Sequence, residues 1–230
     1  MLNNFFSKLI SKIKKEDFQI SSEISVKYIV FMIINKCFMY LRGLLFFRRL
    51  KSKVLIGKNV TIKCSSMIKF SSNLSIERNC FIDALSINGI IFGNNVSLGK
   101  LTTIECTGSL KFIGDGLYVG NNVGLGTHGF FGCAGGVRIG NDTIFGNFVS
   151  IHSENHNFSD PDTPIRLQGV NRLGIVIGSN CWIGAKVTIL DGVIIENGVV
   201  IAAGSLLTKG YYKKDSIYAG VPAKFIKMRF

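Results

Sequence analysis

Residues 177–206 read in sixes as IGSNCW, IGAKVT, ILDGVI, IENGVV and IAAGSL, and this stretch decides the fold. Every unit opens with Ile, Gly recurs at the second or fourth place, and a small or β-branched residue often fills the fifth. The same rhythm runs through residues 56–68, 92–104, 119–131 and 139–151, with the phase slipping by about a residue between blocks. A period of six is neither helical nor the simple alternation of a long strand. It fits one short strand and one corner per unit. The leading aliphatic points inward, and Gly or Asn takes the corner, where positive φ is needed. Three units make a triangular coil of about 18 residues, and a stack of about seven such coils buries a column of Ile, Val and Leu that one coil cannot bury alone. The expected fold is an all-β solenoid, a parallel β-helix with an N-terminal helical segment.

Composition agrees with a packed chain. Of 230 residues 47% are hydrophobic and only 18% charged, which excludes a disordered protein. The 26 Gly and 3 Pro suit many tight corners and few stiff loops. The net charge of +13 is uneven. Residues 1–53 hold 11 Lys/Arg and 3 Asp/Glu (+8), residues 54–208 hold 10 and 10 (0), and residues 209–230 hold 6 and 1 (+5). The chain therefore divides into a basic helical segment (1–53), the coil (54–208) with a loop inserted at 152–175, and a basic C-terminal tail (209–230). Charge confined to the two ends fits two local anionic contacts better than a nucleic-acid face, so no nucleic acid is expected. Six scattered cysteines form no C-x-x-C pair and read as small core residues in a reducing compartment.

Residues 2–13 place Leu2, Phe5, Phe6, Leu9, Ile10 and Ile13 at helical spacing, with Lys8, Lys12, Lys14 and Lys15 on or beside the opposite face. A second apolar stretch, Tyr28 to Phe47, is long enough to span a bilayer, but Lys36 and Arg42 interrupt it at about 2.5–3.5 kcal/mol each near a helix centre. Arg48, Arg49, Lys51 and Lys53 follow. Residues 1–50 thus read as helices packed on the main domain or a neighbouring subunit, or as a peripheral anchor on an anionic membrane surface. A transmembrane helix is the least favoured of the three.

The rhythm stops after Ile151 and resumes near Ile175. The stretch between carries two of the three histidines, His152 and His156, and loops this long inside a solenoid are usually functional. NHNFSDPDTPIR (155–166), the repeats that follow, and IYAGVPAKFIK (217–227) resemble the sugar and antibiotic O-acetyltransferases. These are hexapeptide-repeat acyltransferases that include the maltose, galactoside and nodulation enzymes and relatives in O-antigen and capsule synthesis. The resemblance covers roughly residues 90–228. It implies a left-handed coil and transfer of acetyl from acetyl coenzyme A, as co-substrate and without a metal, to a hydroxyl of a sugar or an antibiotic; a cell-surface polysaccharide or its precursor is the favoured acceptor because the N-terminal segment suits work beside a membrane. It makes His156 the general base. A neutral imidazole in reach of a sugar hydroxyl can take its proton as it attacks a thioester, a contribution of about 10²–10⁴-fold.

By the same resemblance Ala185, Ala203, Thr208, Lys209 and Lys227 match positions that bind the cofactor, with the Ala185 N–H as oxyanion donor; Gly184, 18 residues before Ala202, adds a small residue for a groove that takes the pantetheine arm. His128, in LGTHGFFG, and Asp160 are candidates for acceptor contact. The residues themselves leave open whether Asp160 and Asp162 simply make a turn around Pro161 or whether one of them, or Glu154, orients His156 or holds a sugar hydroxyl; Arg166 is expected to hold the loop rather than reach the acceptor, and His152 to support it. The run KGYYKKDS after Thr208 departs from the family's pattern and leaves contacts at 210–214 open. Family members are homotrimers with sites between neighbouring coils, which implies a cytoplasmic homotrimer, peripheral to the inner face of the plasma membrane if residues 1–50 meet lipid. Two rival functions remain: N-acetylation of a nucleotide-linked amino sugar, and a metal hydratase of the γ-carbonic-anhydrase type using the three histidines. A non-catalytic scaffold would explain the basic ends but not the histidine-bearing loop.

Overall fold

The computed structural model describes residues 19–21, 23–47 and 53–230. The pattern read over residues 2–13 and the cations Arg48, Arg49 and Lys51 lie outside them. From Val54 the chain winds as a three-sided parallel coil, each strand pairing with the third strand before it and the third after it. Two sides hold seven strands each. The side that begins with Val54–Ile56 holds eight parallel strands and a ninth that returns antiparallel. One turn shows the plan: Ile144–Phe145 on the first side, Ser150–His152 on the second, and Ile175–Ile177 on the third.

Strands this short hold together because their inward residues stack in register. Ile151 sits between Phe131 and Ile189, and Ile139 pairs with Ile177, which precedes Ile195. All six are buried. Each such side chain stabilises the fold by about 1.5–3 kcal/mol relative to exposure.

The corners carry the other half of the register. Between the third and first sides, Asn73, Asn95, Asn122, Asp142 and Asn180 take φ near +56°, with values of 55, 57, 57, 56 and 56. Their side chains form a ladder, Asn73 donating to Asn95 (2.8 Å), Asn95 to Asn122 (2.9 Å) and Asn122 to Asp142 (2.8 Å). One residue earlier, the backbone N–H groups of Asn94, Asn121, Asn141 and Ser179 each donate to the side-chain oxygen at the same place in the next coil. This is the Asn and Gly chemistry the sequence predicts.

The corner between the first and second sides differs. Leu101, His128, Phe148 and Lys186, in consecutive coils, occupy the left-handed region at φ of 61, 57, 60 and 58. Such a conformation costs an ordinary residue about 1–2 kcal/mol. Stacking imposes it: His128, Phe148 and Lys186 donate their N–H groups to Lys100, Thr127 and Asn147 of the preceding coil at 2.9, 2.8 and 2.8 Å.

The expected 18 residues per coil hold only near the C-terminal end. Along the Ser72, Asn94, Asn121, Asn141, Ser179, Asn197 column the offsets are 22, 27, 20, 38 and 18 residues. The long coils carry insertions, one around residues 107–114 and one at 153–174.

Helix α1, Val26–Phe47, crosses the start of the coil. Gly43 permits the approach: a Cβ there would lie 2.1 Å from the Val54 carbonyl oxygen. Lys36 pairs with Glu77 at 3.0 Å, Arg42 donates to the Ile56 carbonyl at 3.1 Å, and Phe47 meets Phe70 edge-on at 5.0 Å. At the other end, residues 209–230 are no loose tail. Gly210–Tyr212 and Ser216–Gly220 continue the coil, and Ala223–Met228 folds back antiparallel on the latter. Four cysteines, Cys80, Cys106, Cys133 and Cys181, are core residues as expected, but Cys37 and Cys64 are exposed.

Inward and outward positions of one strand should differ sharply. Ile177→Ala is expected to lower the unfolding free energy by about 2–5 kcal/mol in urea titration. Val176→Ala, next to it on the outer face, should cost under about 1 kcal/mol.

Candidate active site

The 153–174 insertion leaves the coil at the second-to-third corner and returns to it there. Its arms pair antiparallel, Asn155 with Asn171 and His156 with Val170. Two carboxylates anchor this hairpin. Buried Asp191, from the next coil, accepts the N–H groups of Leu173 (2.9 and 3.0 Å) and Gly174 (2.8 Å) where the hairpin rejoins the coil. Arg172 bonds Glu154 across the hairpin through Nε at 3.0 Å. Its two terminal nitrogens donate to the Ile113 and Phe112 carbonyls at 3.0 and 3.1 Å. One planar guanidinium therefore ties both hairpin arms to the 107–114 insertion, a task its fixed fork of donors suits. A cleft of about 270 Å³ lies between the insertions, lined by Phe112, Asn157, Gln168, Gly169, Val170 and Arg172.

His156 projects from this braced hairpin, exposed, and its ring has no hydrogen-bond partner among the described residues. None of the three acidic candidates is paired with it. Glu154 is engaged by Arg172. Asp160 accepts the Asp162 N–H at 3.0 Å, and the Thr163 hydroxyl followed by that amide holds its carboxyl below the ordinary range. Asp160 thus closes the turn around Pro161, with Gln168 bridging its backbone. Arg166 lies exposed in the short helical turn Ile165–Leu167, and the loop-holding part expected of it belongs to Arg172. His152 is tied to the coil wall rather than to the loop: its Nε2 bonds Ser150 Oγ at 2.7 Å, its ring lies against Phe130, and burial pushes its pKa down.

A second group gathers at the first-to-second corner. Ala185 and Ala203 stack one coil apart, with the Gly204 N–H donating to the Ala185 carbonyl at 2.8 Å. A Cβ on Gly184 would lie 2.5 Å from the Ala203 nitrogen, so this position requires glycine. A ladder of amide to side-chain oxygen starts here too, Thr127 N–H donating to Asn147 Oδ1 at 3.1 Å. It then stops, because alanine at 185 and 203 offers no oxygen. The N–H groups of Asn147 and Ala185 consequently have no acceptor among the described residues. Space beside Gly204 is open, with no atom within 4 Å of where a Cβ would stand. Two coils up the same column, His128 stacks on Phe148 (4.6 Å, 21°) and bonds Thr127 Oγ1 through Nδ1 at 3.1 Å.

Thr208 and Lys209 are exposed at the corner that also carries the hairpin base, where Gly210 donates to Gly192 and Gly192 to Gly174. Lys227 lies on the returning strand, paired with Ile217. Within one chain the candidates therefore fall at two corners: His156, Thr208 and Lys209 at one, and His128, Gly184, Ala185 and Ala203 at another. Among the described residues no group of three or more His, Cys, Asp or Glu could hold a metal ion. Sequence reasoning missed Arg172, Asp191 and the 107–114 insertion. Their signals were faint: an acidic residue inside an otherwise apolar repeat, and one offset of 27 residues.

Residues 174–209 match the model of the bacterial transferase hexapeptide (six repeats). WbbJ of Escherichia coli (strain K12), named as a lipopolysaccharide biosynthesis O-acetyl transferase, is 39% identical over 98 residues, 40% of this chain and 50% of that protein. A Lysinibacillus sphaericus protein named as a macrolide acetyltransferase is 56% identical over 55 residues, 24% of this chain and 30% of that one. The chain thus spans half or less of the length of these relatives. A mutant of AntD, an N-acyltransferase from Bacillus cereus crystallised with dTDP and coenzyme A, superposes with a TM-score of 0.51 at 20% identity. The superposition covers 75% of this chain and 85% of that one, and shows the likeness of fold.

The lowered pKa of His152 has a measurable sign. The folded state resists protonation there, so acidification through the unfolded imidazole's value of about 6.5 destabilises the chain until the folded group also protonates. Unfolding free energy should fall from pH 7.5 to pH 5 by urea titration, less steeply in His152→Gln.

Proposed function

We propose that this chain is an O-acetyltransferase on a left-handed parallel β-helix, moving acetyl from acetyl coenzyme A to a hydroxyl of a sugar in a cell-surface polysaccharide or its precursor. The observation that carries the reading is the free imidazole of His156, exposed on a hairpin braced by Arg172 and Asp191. A general base needs that combination of an available ring nitrogen and a fixed position. The similarity to WbbJ supports a glycan acceptor. Six free cysteines suit a cytoplasmic setting.

The donor fits the first-to-second corner. A thin pantetheine arm needs small side chains and unpaired backbone amides, and Ala185, Ala203 and the open side of Gly204 supply both. Lys209 and Lys227 are exposed cations suited to its phosphates. Acetyl coenzyme A supplies the acetyl group as a thioester. His156 takes the acceptor hydroxyl's proton at a ring nitrogen as that oxygen attacks, and returns it to the departing sulfur. The Ala185 N–H donates to the carbonyl oxygen while it carries negative charge. Because His156 and Ala185 occupy different corners of one chain, the reading requires a homotrimer that sets the hairpin of one copy against the alanine corner of the next.

Thiol release from acetyl coenzyme A across a panel of saccharides, with a macrolide and a nucleotide-linked amino sugar as comparison acceptors, tests this. His156→Ala should lower turnover about 10²–10⁴-fold with donor affinity retained. Unchanged turnover in that variant, or no release with any saccharide, would sink the reading.

Arg172 is a positioning residue for the same step. Arg172→Lys keeps a charge for Glu154 but cannot reach both loop carbonyls, so kcat should fall by about tenfold or more. Donor KM should stay level, and amide exchange in the hairpin should quicken.

A further inference from the structure

α1 is built inside out for a helix that faces water. It contains three cations, and two of them, Lys36 and Arg42, turn toward the coil, where Glu77 and the Ile56 carbonyl receive them. Only Lys27, in the first turn, is left on the solvent side. From Phe31 to Leu45 the outward arc is instead apolar, with Asn35 the exposed polar residue beside it. Phe31, Ile34, Phe38, Leu41 and Leu45 follow one another at spacings of three and four, with Phe31 67% and Leu45 79% exposed. Val30, Met32, Ile33 and Phe46 widen the arc on either side. Among the described residues nothing covers it.

Two media could accept such a surface. A seam against another helix uses the same three–four spacing, but its flanking positions carry charges that meet water at its edges. Here the flanks hold Asn35 but no unpaired charge from Phe31 to Leu45, which suits hydrocarbon. Charge supplies the second argument. Arg48, Arg49, Lys51 and Lys53 follow the helix at once in the sequence, and Lys8, Lys12, Lys14 and Lys15 precede it, while residues 54–208 sum to zero. Basic clusters that flank an apolar helix in the sequence match the headgroups of anionic lipids. We propose that α1 is an interfacial helix that lays its outward arc into an anionic bilayer surface and holds the coil against it. Spanning is disfavoured by the docking of its second half on the coil through Lys36, Arg42, Gly43 and Phe47. The inference is independent of the acetyl-transfer reading.

Flotation of the full-length protein with vesicles tests it. The protein should rise with vesicles of mixed phosphatidylglycerol and phosphatidylcholine, and at least about tenfold less with phosphatidylcholine alone. Salt near 1 M, where the screening length is about 3 Å, should release much of it. Phe31→Glu/Phe38→Glu/Leu45→Glu, which touches only the outward arc, should lose flotation at least about tenfold with melting temperature and oligomeric mass unchanged. Arg48→Glu/Arg49→Glu/Lys51→Glu/Lys53→Glu should lose it too with the arc intact, so a folding defect in the first variant cannot mimic the result. Failure of the wild type to float with phosphatidylglycerol, or equal flotation on neutral vesicles at any salt, overturns the proposal. A drop in oligomeric mass in the first variant also overturns it, in favour of a second copy as the cover.

Discussion

Rung-to-rung registry governs this molecule. A strand of two or three residues has too few hydrogen bonds to persist alone, so each must find its backbone partners in the coils above and below. Once the corners repeat in place, aliphatic side chains fall into columns and corner amides into lines. The force of the constraint is visible where it overrides preference. Leu101, His128, Phe148 and Lys186 accept a left-handed backbone that each would avoid elsewhere, because leaving the line would forfeit the hydrogen bond to the coil before.

The same regularity makes deviations informative. Along one corner, asparagine and serine oxygens receive the amides of successive coils without a gap from Asn94 to Asn197. Along the other, alanines at 185 and 203 break the series and leave donors available at a surface. A repeat optimised only for stability would keep the oxygens. The two insertions likewise interrupt the stack beside one another, and Arg172 couples them, so the chain spends a large charged side chain on stiffening an exposed hairpin.

The aliphatic core was legible because inward positions obey one rule. Ile177, Ile183, Ile189, Ile195 and Ile201 are six apart in sequence and buried. The Asn corners were legible for the same reason. The Leu101 to Lys186 column was not, since nothing local in those residues favours positive φ. His156 stood out through its place in a long interruption, but its surroundings did not. Arg172 acts through carbonyls at Phe112 and Ile113, roughly sixty residues earlier in the chain, with separations of 60 and 59. No window of sequence displays such a contact. Glu154 and Asp160 looked available for His156 only until their own partners were known.

The two ends of the coil differ from its middle in one respect that bears on solubility. A stack of parallel rungs presents open strand edges at its top and bottom, and identical molecules could add there head to tail. At the first rung α1 lies over Val54, close enough that only glycine fits at position 43. At the last, Ala223–Met228 reverses direction and occupies the edge of Ser216–Gly220 with an antiparallel partner that no further parallel rung can imitate. On that side growth into a filament is stopped by polarity.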